Sequence, residues 1–450
     1  MLLSEKESKR LCRKLLGFTR ADDAVVNINS ENQSHLRFAA NAFTTSGSRD
    51  SLSVQVTVWI DRKRGSASTN EISEGSLKAA VEQAEELARL SPVDVEYLPS
   101  LGPQTYKTTH GYAEATAKIS ENQRAQVVND AIVACEKAKV IGAGFYRTTA
   151  STGARATKNG NFSYERSSGV GFSMTARTPD GGSSGYFVRN HFDVSKFDWQ
   201  RIVREAIRKA LEAREPRTLE PGVYPVILEP QAVADLLGNF LVGAFDARRT
   251  DEGRGALSSP GGKTRLGERV FDDRLNFYSD PWHAEVPGSQ DAQDGLPAKK
   301  IHLVRNGVVE SLVYSRFWAE KQRKEPTAGP VNTLLESSAR PASFDEMVRG
   351  TEHGLLVGRF WYIRMVDPRT LLLTGLTRDG VWLVENGKVA HSVRNFRFNQ
   401  SILQMLSHGN VDMIGEAERV GGSEGQGRGA GLFPPLKLRG FTFTSQSEAI

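Results

Sequence analysis

The stretch YPVILEPQAVADLLGNFLVG, residues 224–243, decides how the chain is read. Its first part, YPVILEP (224–230), is a short apolar run bounded by proline, which predicts a buried strand. The second part predicts a helix over about 231–242, well buried because apolar residues fall on most of its positions. That helix carries no His, Glu or Cys. Instead it holds Gly238 and Gly243, and a glycine inside a helix costs about 1 kcal/mol relative to alanine. One reading is packing: small residues allow a neighbouring element to approach closely. The other is that the helix occupies a functional position and has no functional side chains to offer.

Working outward, the two sides of this stretch differ in pattern. Before it, helices are expected at 3–17, 73–89, 118–140 and 196–213, each from apolar residues recurring at three and four. Between them lie strands at 22–30, 34–43, 51–60, 141–150, 162–178 and 184–190. After residue 222 the helical signal shrinks to 231–242, 344–350 and 401–409, and strands dominate. Asn-Gly pairs in RNGVV (305–309) and ENGKV (385–389) predict hairpins, because both central residues of such a turn need positive φ. PPLKLRGFTFTS (434–445) reads as a last strand after the Gly-rich run GGSEGQGRGAG (421–431). The expected fold class is α+β. An α/β domain with a mixed or antiparallel sheet covers 1–218, and a β-rich, barrel-like domain covers 219–450.

Composition narrows the function classes. The 450 residues are 39% hydrophobic and 25% charged with a net charge of only +5, so no basic stripe for nucleic acid is expected. No run approaches the length of a transmembrane helix, and MLLSEKESKR is charged too early for a signal segment. The two cysteines, Cys12 and Cys135, fall in expected amphipathic helices, which argues for unpaired thiols and a cytoplasmic, reducing setting.

Direct chemical signals are weak. None of the eight histidines (35, 110, 191, 283, 302, 353, 391, 408) pairs with another at the spacing of a zinc motif. His191 with Asp193, and Asp280 with His283, come nearest, and a turn role is expected of both pairs. GGKT (261–264) lacks the first glycine of a phosphate loop, since Leu257 stands at that position, and no strand precedes it. Cys135 has no base on its own helix and reads as buried filler. The acids Asp272, Asp273 and Asp280 in FDDRLNFYSDPWH (271–283) either cap turns or hold a cation, with turn capping expected.

Several segments taken in order carry a resemblance: ADDAVVNINSENQSHLRFAANAF (21–43), DSLSVQVTVWIDRKRGSASTNEIS (50–73), FDDRLN (271–276), IHLVRNGVVESLVYSR (301–316), EPTAGPVN (325–332), GLLVGR (354–359), VWLVENGKV (381–389) and GLFPPLKLRGFTF (431–443). Together they resemble the TldD/PmbA (TldD/TldE) family over nearly the whole chain. The resemblance implies a metallopeptidase fold in which TldD-type subunits carry His-Glu-x-x-x-His after a Leu-Leu pair, with a late cysteine completing a zinc site. Aligned on Leu236 and Leu237, this chain has Gly238, Asn239 and Gly243 at the helix positions and Gly421 or a neighbour at the cysteine position. No cysteine follows residue 135. The resemblance therefore implies a PmbA/TldE-type subunit with no catalytic residue, cofactor or metal of its own, and zinc in a TldD-like partner. Expected partners are that metallopeptidase, or a second copy of the chain, and unfolded or small peptides. Two alternatives stand beside it: a hydrolase using the 272–283 acids with His283, and a stand-alone peptide-binding protein. Should the chain hold a metal through other ligands, His191, His283 and His302 are the first candidates.

Overall fold

The computed structural model describes residues 2–238, 240–421 and 430–447. Its first part is a six-stranded sheet of order β3-β2-β1-β4-β5-β6, antiparallel throughout. The strands are β1 (Asp23–Ala39), β2 (Ala42–Ile60), β3 (Lys63–Thr69), β4 (Ile141–Thr157), β5 (Phe162–Arg177) and β6 (Ser184–His191). The expected strands at 22–30 and 34–43 are one strand. Polar residues in its middle alternate faces and do not break it, and the chain reverses at Ala40 and Asn41, both at positive φ.

Helices α1 (Glu5–Phe18) and α2 (Glu74–Leu90) cover one end of one sheet face, and α4 (Glu121–Lys137) and α5 (Trp199–Glu212) cover the other end; α3 (Glu114–Ala117) is a single turn. α1 starts at a capping box, with Ser4 Oγ accepting from Glu7 N–H and Glu7 accepting from Ser4 N–H. Under α1 and α2 lie Val26, Ile28, Val54 and Val56, all essentially buried. Phe38, Tyr146, Phe172 and Met174 lie under α4 and α5. Each such side chain contributes about 1.5–3 kcal/mol of burial. α5 sits close because β6 offers Gly185, where a Cβ would stand 2.3 Å from Ala206 O.

After residue 222 the chain builds two larger sheets. The nine-stranded one runs Phe360–Asp367, Leu372–Thr377, Phe396–Ser401, Leu436–Gln446, β7 (Gly222–Leu228), His353–Val357, Val381–Glu385 and Lys388–Ser392, with Val411–Ile414 pairing against Leu436–Gln446. The six-stranded one runs Val308–Val309, Ile301–Arg305, Leu275–Ser279, Thr333–Ser337, Gly431–Phe433 and Glu418–Val420. The half is β-rich as expected, but its described strands form open sheets and no closed barrel. Both Asn-Gly hairpins are present, with positive φ at Asn306, Gly307, Asn386 and Gly387.

Helix α6 (Pro230–Leu237) packs between these sheets, against β7 and Phe360–Asp367 on one side and the strands ending at Val420 and Phe433 on the other. Its Ala232, Val233, Leu236 and Leu237 join a core that includes Phe360, Phe398 and Phe441. The Phe360 and Phe398 rings meet edge-on at 4.8 Å. The helix is shorter than expected and stops at Leu237; Gly243 falls in a separate 3-10 turn, Val242–Phe245. The expected helix at 401–409 is likewise one turn, Ile402–Met405. No described helix is long and apolar enough to cross a membrane.

Candidate functional site

The strand-then-helix element β7–α6 ends at Gly238 and has Gly421 against it. Gln231 donates from Nε2 to Asp235 Oδ1 at 2.8 Å and to the Gly421 carbonyl at 3.3 Å, so the segment before the Gly-rich run lies against α6. Asp235 Oδ2 in turn accepts from Phe360 N–H at 3.0 Å. Asn239 lies outside the described residues.

The glycines differ in what surrounds them. A Cβ on Gly243 would meet nothing within 4 Å, and on Gly238 it would meet its own helix at Ala234 O and the Phe433 ring at 3.8 Å. Close approach of another element therefore does not account for Gly243. Gly421 is the crowded one: a Cβ there would lie 2.1 Å from Asn190 Nδ2.

A zinc ion needs three or four N, S or carboxylate donors converging on one point. Gly238 and Gly243 bring none, and both cysteines are far away in sequence and buried in α1 and α4. Burial pushes each thiol up to about 12, so neither is a ready thiolate. Asp235 is held by Gln231 and the Phe360 amide. Of the described side chains of α6, Gln231 has its Oε1 buried without a partner, and one neutral carbonyl does not make a zinc site. The described residues around α6 do not fit the metal.

The charges around this element are spent on one another. Glu229, the residue that opens α6, forms a buried ion pair with Lys209 of α5. Glu418 receives Arg189 and Arg201, each at 3.0 Å. Burial pushes the Glu418 carboxyl up, but the Arg201 hydrogen bond and the two guanidinium charges outweigh it and hold the group below its ordinary value. Arg419 donates to the carbonyls of Asn190 and Glu285, and burial lowers its pKa to about 10. These ties were not visible in the sequence; only the four-residue spacing of Gln231 and Asp235 on one helix face hinted at any of them.

The other sequence candidates are accounted for locally. His191 is buried, its Nδ1 accepts from Asp193 N–H at 2.8 Å, and its Nε2 lies 3.4 Å from Glu285. Burial, helped by the Arg419 charge, lowers its pKa. His283 Nδ1 accepts from the amides of Glu285 and Val286, and Asp280 takes Trp282 N–H and Lys300. His302 stacks on Tyr278, its rings 5.1 Å apart. His191, His283 and His302 are not brought into a three-ligand cluster among the described residues. Asp272 and Asp273 meet His408, not Asp280 or His283, and Asp272 is already neutralised by Arg274 at 2.7 Å. GGKT forms the tip of a small exposed hairpin, with Gly261 and Gly262 at positive φ. In EPTAGPVN, Asn332 ties the 279–286 turn together through Ser279, Asp280 and Val286.

Comparison with known proteins gives consistent results. Residues 221–445 match the profile described as the PmbA/TldA metallopeptidase C-terminal domain. Residues 24–88 match its domain 1 and 102–214 its central domain. A metalloprotease of Methanothermobacter thermautotrophicus is 23% identical over 256 residues, covering 54% of this chain and 52% of that protein. A metalloprotease of Methanocaldococcus jannaschii is 21% identical over 75% of this chain and 73% of its own length. The chain thus spans about half the length of the first relative. Among solved structures, TldE from Thermococcus kodakarensis superposes with a TM-score of 0.84 at 17% identity, covering 97% of this chain and 99% of that one. A Thermotoga maritima chain named as a DNA gyrase modulator gives 0.83 at 17% identity, covering 97% and 100%.

Proposed function

The chain belongs to the PmbA/TldD family, and on that premise we propose that it is a non-catalytic, TldE-like subunit of a TldD-type zinc metallopeptidase assembly acting on unfolded or small peptides. The observation that carries this reading is the donor set at α6: glycine at 238 and 243, no cysteine after residue 135, and neighbouring polar groups committed to holding the fold. Zinc and the general base then belong to the partner, and this chain supplies walls and binding surface. The division into 1–218 and 219–450 is part of the same reading, the first unit giving the long sheet and the second the degenerate helix. A homodimer is the alternative assembly, and a cytoplasmic setting is part of the same reading, supported by the two unpaired thiols.

The relatives named metalloproteases carry the competing reading, peptidase activity in this chain itself. Elemental analysis of the purified, tag-free chain separates the two. Near-zero zinc per chain, together with co-purification of a His-Glu-x-x-x-His subunit from the native cell, is the expected result. One zinc per chain retained through gel filtration, or repeated recovery of this chain with no such subunit, sinks the proposal.

A further inference from the structure

Away from α6, the end of the N-terminal sheet and the strand Phe360–Asp367 line an open cleft of about 420 Å³ between the two halves of the chain. Four arginines line it: Arg37 from β1, Arg177 from the end of β5, and Arg359 and Arg378 from the C-terminal half. Only one carboxylate, Asp379, lines it with them.

That carboxylate is already divided. Asp379 accepts Ser184 Oγ at 2.7 Å, and stands 3.3 Å from Arg359 Nη1 and 3.7 Å from Arg378 Nε. Arg359 is only 4% exposed, yet its Nε is buried with no acceptor among the described residues. A buried N–H of this kind is costly and points to an acceptor that arrives from outside. The guanidinium is also held in place, 3.9 Å from the Tyr186 ring centroid and 5.0 Å from that of Trp361. Arg378 lies over the same indole at 4.8 Å. Arg37 and Arg177 are exposed and form no ion pair with any described residue.

We propose that this cleft binds the C-terminal carboxylate of a short peptide. A fixed guanidinium presents parallel N–H donors that match a planar carboxylate, and stacking on aromatic rings sets its orientation in advance. Phe145, Tyr186 and Trp361 supply apolar wall for the last side chain. The open cleft has room for one or two residues, whereas a nucleic-acid backbone needs an extended basic track. The choice of a peptide rests on the subunit reading above and adds to it the end of the peptide that is recognised.

The test is fluorescence anisotropy of the full chain with an N-terminally labelled hydrophobic tetrapeptide, as free acid and as C-terminal amide. The free acid is expected to bind about tenfold tighter or better, the difference one charge-assisted pair makes. The double variant Arg37→Gln/Arg177→Gln, altered only at exposed positions, removes most of that preference and leaves the amide unchanged. Arg359→Lys, which keeps the charge and loses the fork, weakens the acid as well. Equal binding of acid and amide, or a preference that survives both variants, overturns the proposal. So does displacement of the peptide by inorganic phosphate as readily as by acetate, which identifies a general anion site. Failure here leaves zinc content and partner recovery untouched, whereas failure of the subunit reading appears in those two measurements with the acid preference intact.

Discussion

Around α6 the charged groups are paired off, Lys209 with Glu229 and Glu418 with two arginines, while the glycines beside them offer nothing to a ligand. In the cleft beneath Trp361, four guanidiniums face one shared carboxylate and a buried N–H waits for an acceptor. The first place has the chemistry of a structural joint. The second holds two exposed arginines, Arg37 and Arg177, that pair with no acid among the described residues. Paired charge and spare charge are held in different places in this chain, and the proposed peptide site lies with the second.

The hardest strain on that comparison is Lys209→Met. If the pairs around α6 are structural, leaving Glu229 buried without its partner costs about 3–5 kcal/mol. Urea unfolding should show it as a lower midpoint, with most of the loss recovered in Lys209→Met/Glu229→Leu. A nearly neutral single variant would mean that the pair does not hold this joint. Next come the glycines. Gly421→Val must displace Asn190, which also holds Arg419, and should cost about 1–3 kcal/mol by overpacking. Gly243→Ala enters open space and should stay within about 1 kcal/mol of the parent, on the stabilising side if the turn behaves as a helix. The reverse order in thermal melts would return Gly243 to the close-packing explanation.

The smallest effect is on acid stability. Glu418 has a folded-state pKa below its unfolded value, so its contribution is fully present above about pH 4.5 and is lost as pH falls through the lower folded value. Glu418→Gln should therefore lower stability at neutral pH and flatten the fall below about pH 4.5. Parallel acid profiles for the two proteins would show that the arginines do not stabilise the charged form.

What could be read in advance followed from how local the physical cause is. Asn306-Gly307 and Asn386-Gly387 announced their hairpins because two adjacent residues must adopt positive φ, and the sequence names residues that do so cheaply. The turn at Ala40-Asn41 has the same backbone without the glycine, so the expected strand at 34–43 ran through it, while the polar Glu31, Asn32 and Gln33 split β1 in two. The apolar run of α6 continues through Phe240, Leu241 and Val242, which hid the end of the helix at Leu237: both a helix and a buried turn need apolar residues there. That Gly238 and Gly243 bring no donor is a property of single residues and needs no fold to be read. The arginine cleft could not, since Arg37, Arg177, Arg359 and Arg378 meet only when strands from both halves come together.

The long sheet also fixes an order of events in time. β1 with β2, and β4 with β5, are neighbours in the chain and close short loops, whereas β1 must find β4 with paired residues such as Phe38 and Gly144 about a hundred positions apart. Loop-closure entropy puts the local hairpins first and their docking last. Until that docking the inner edges of two long strands stand open, and α1, α2, α4 and α5 have only half a surface to cover. Within this sheet the slow step is thus the seam between β1 and β4, and it is there that a newly made chain leaves long strand edges open to the wrong partner.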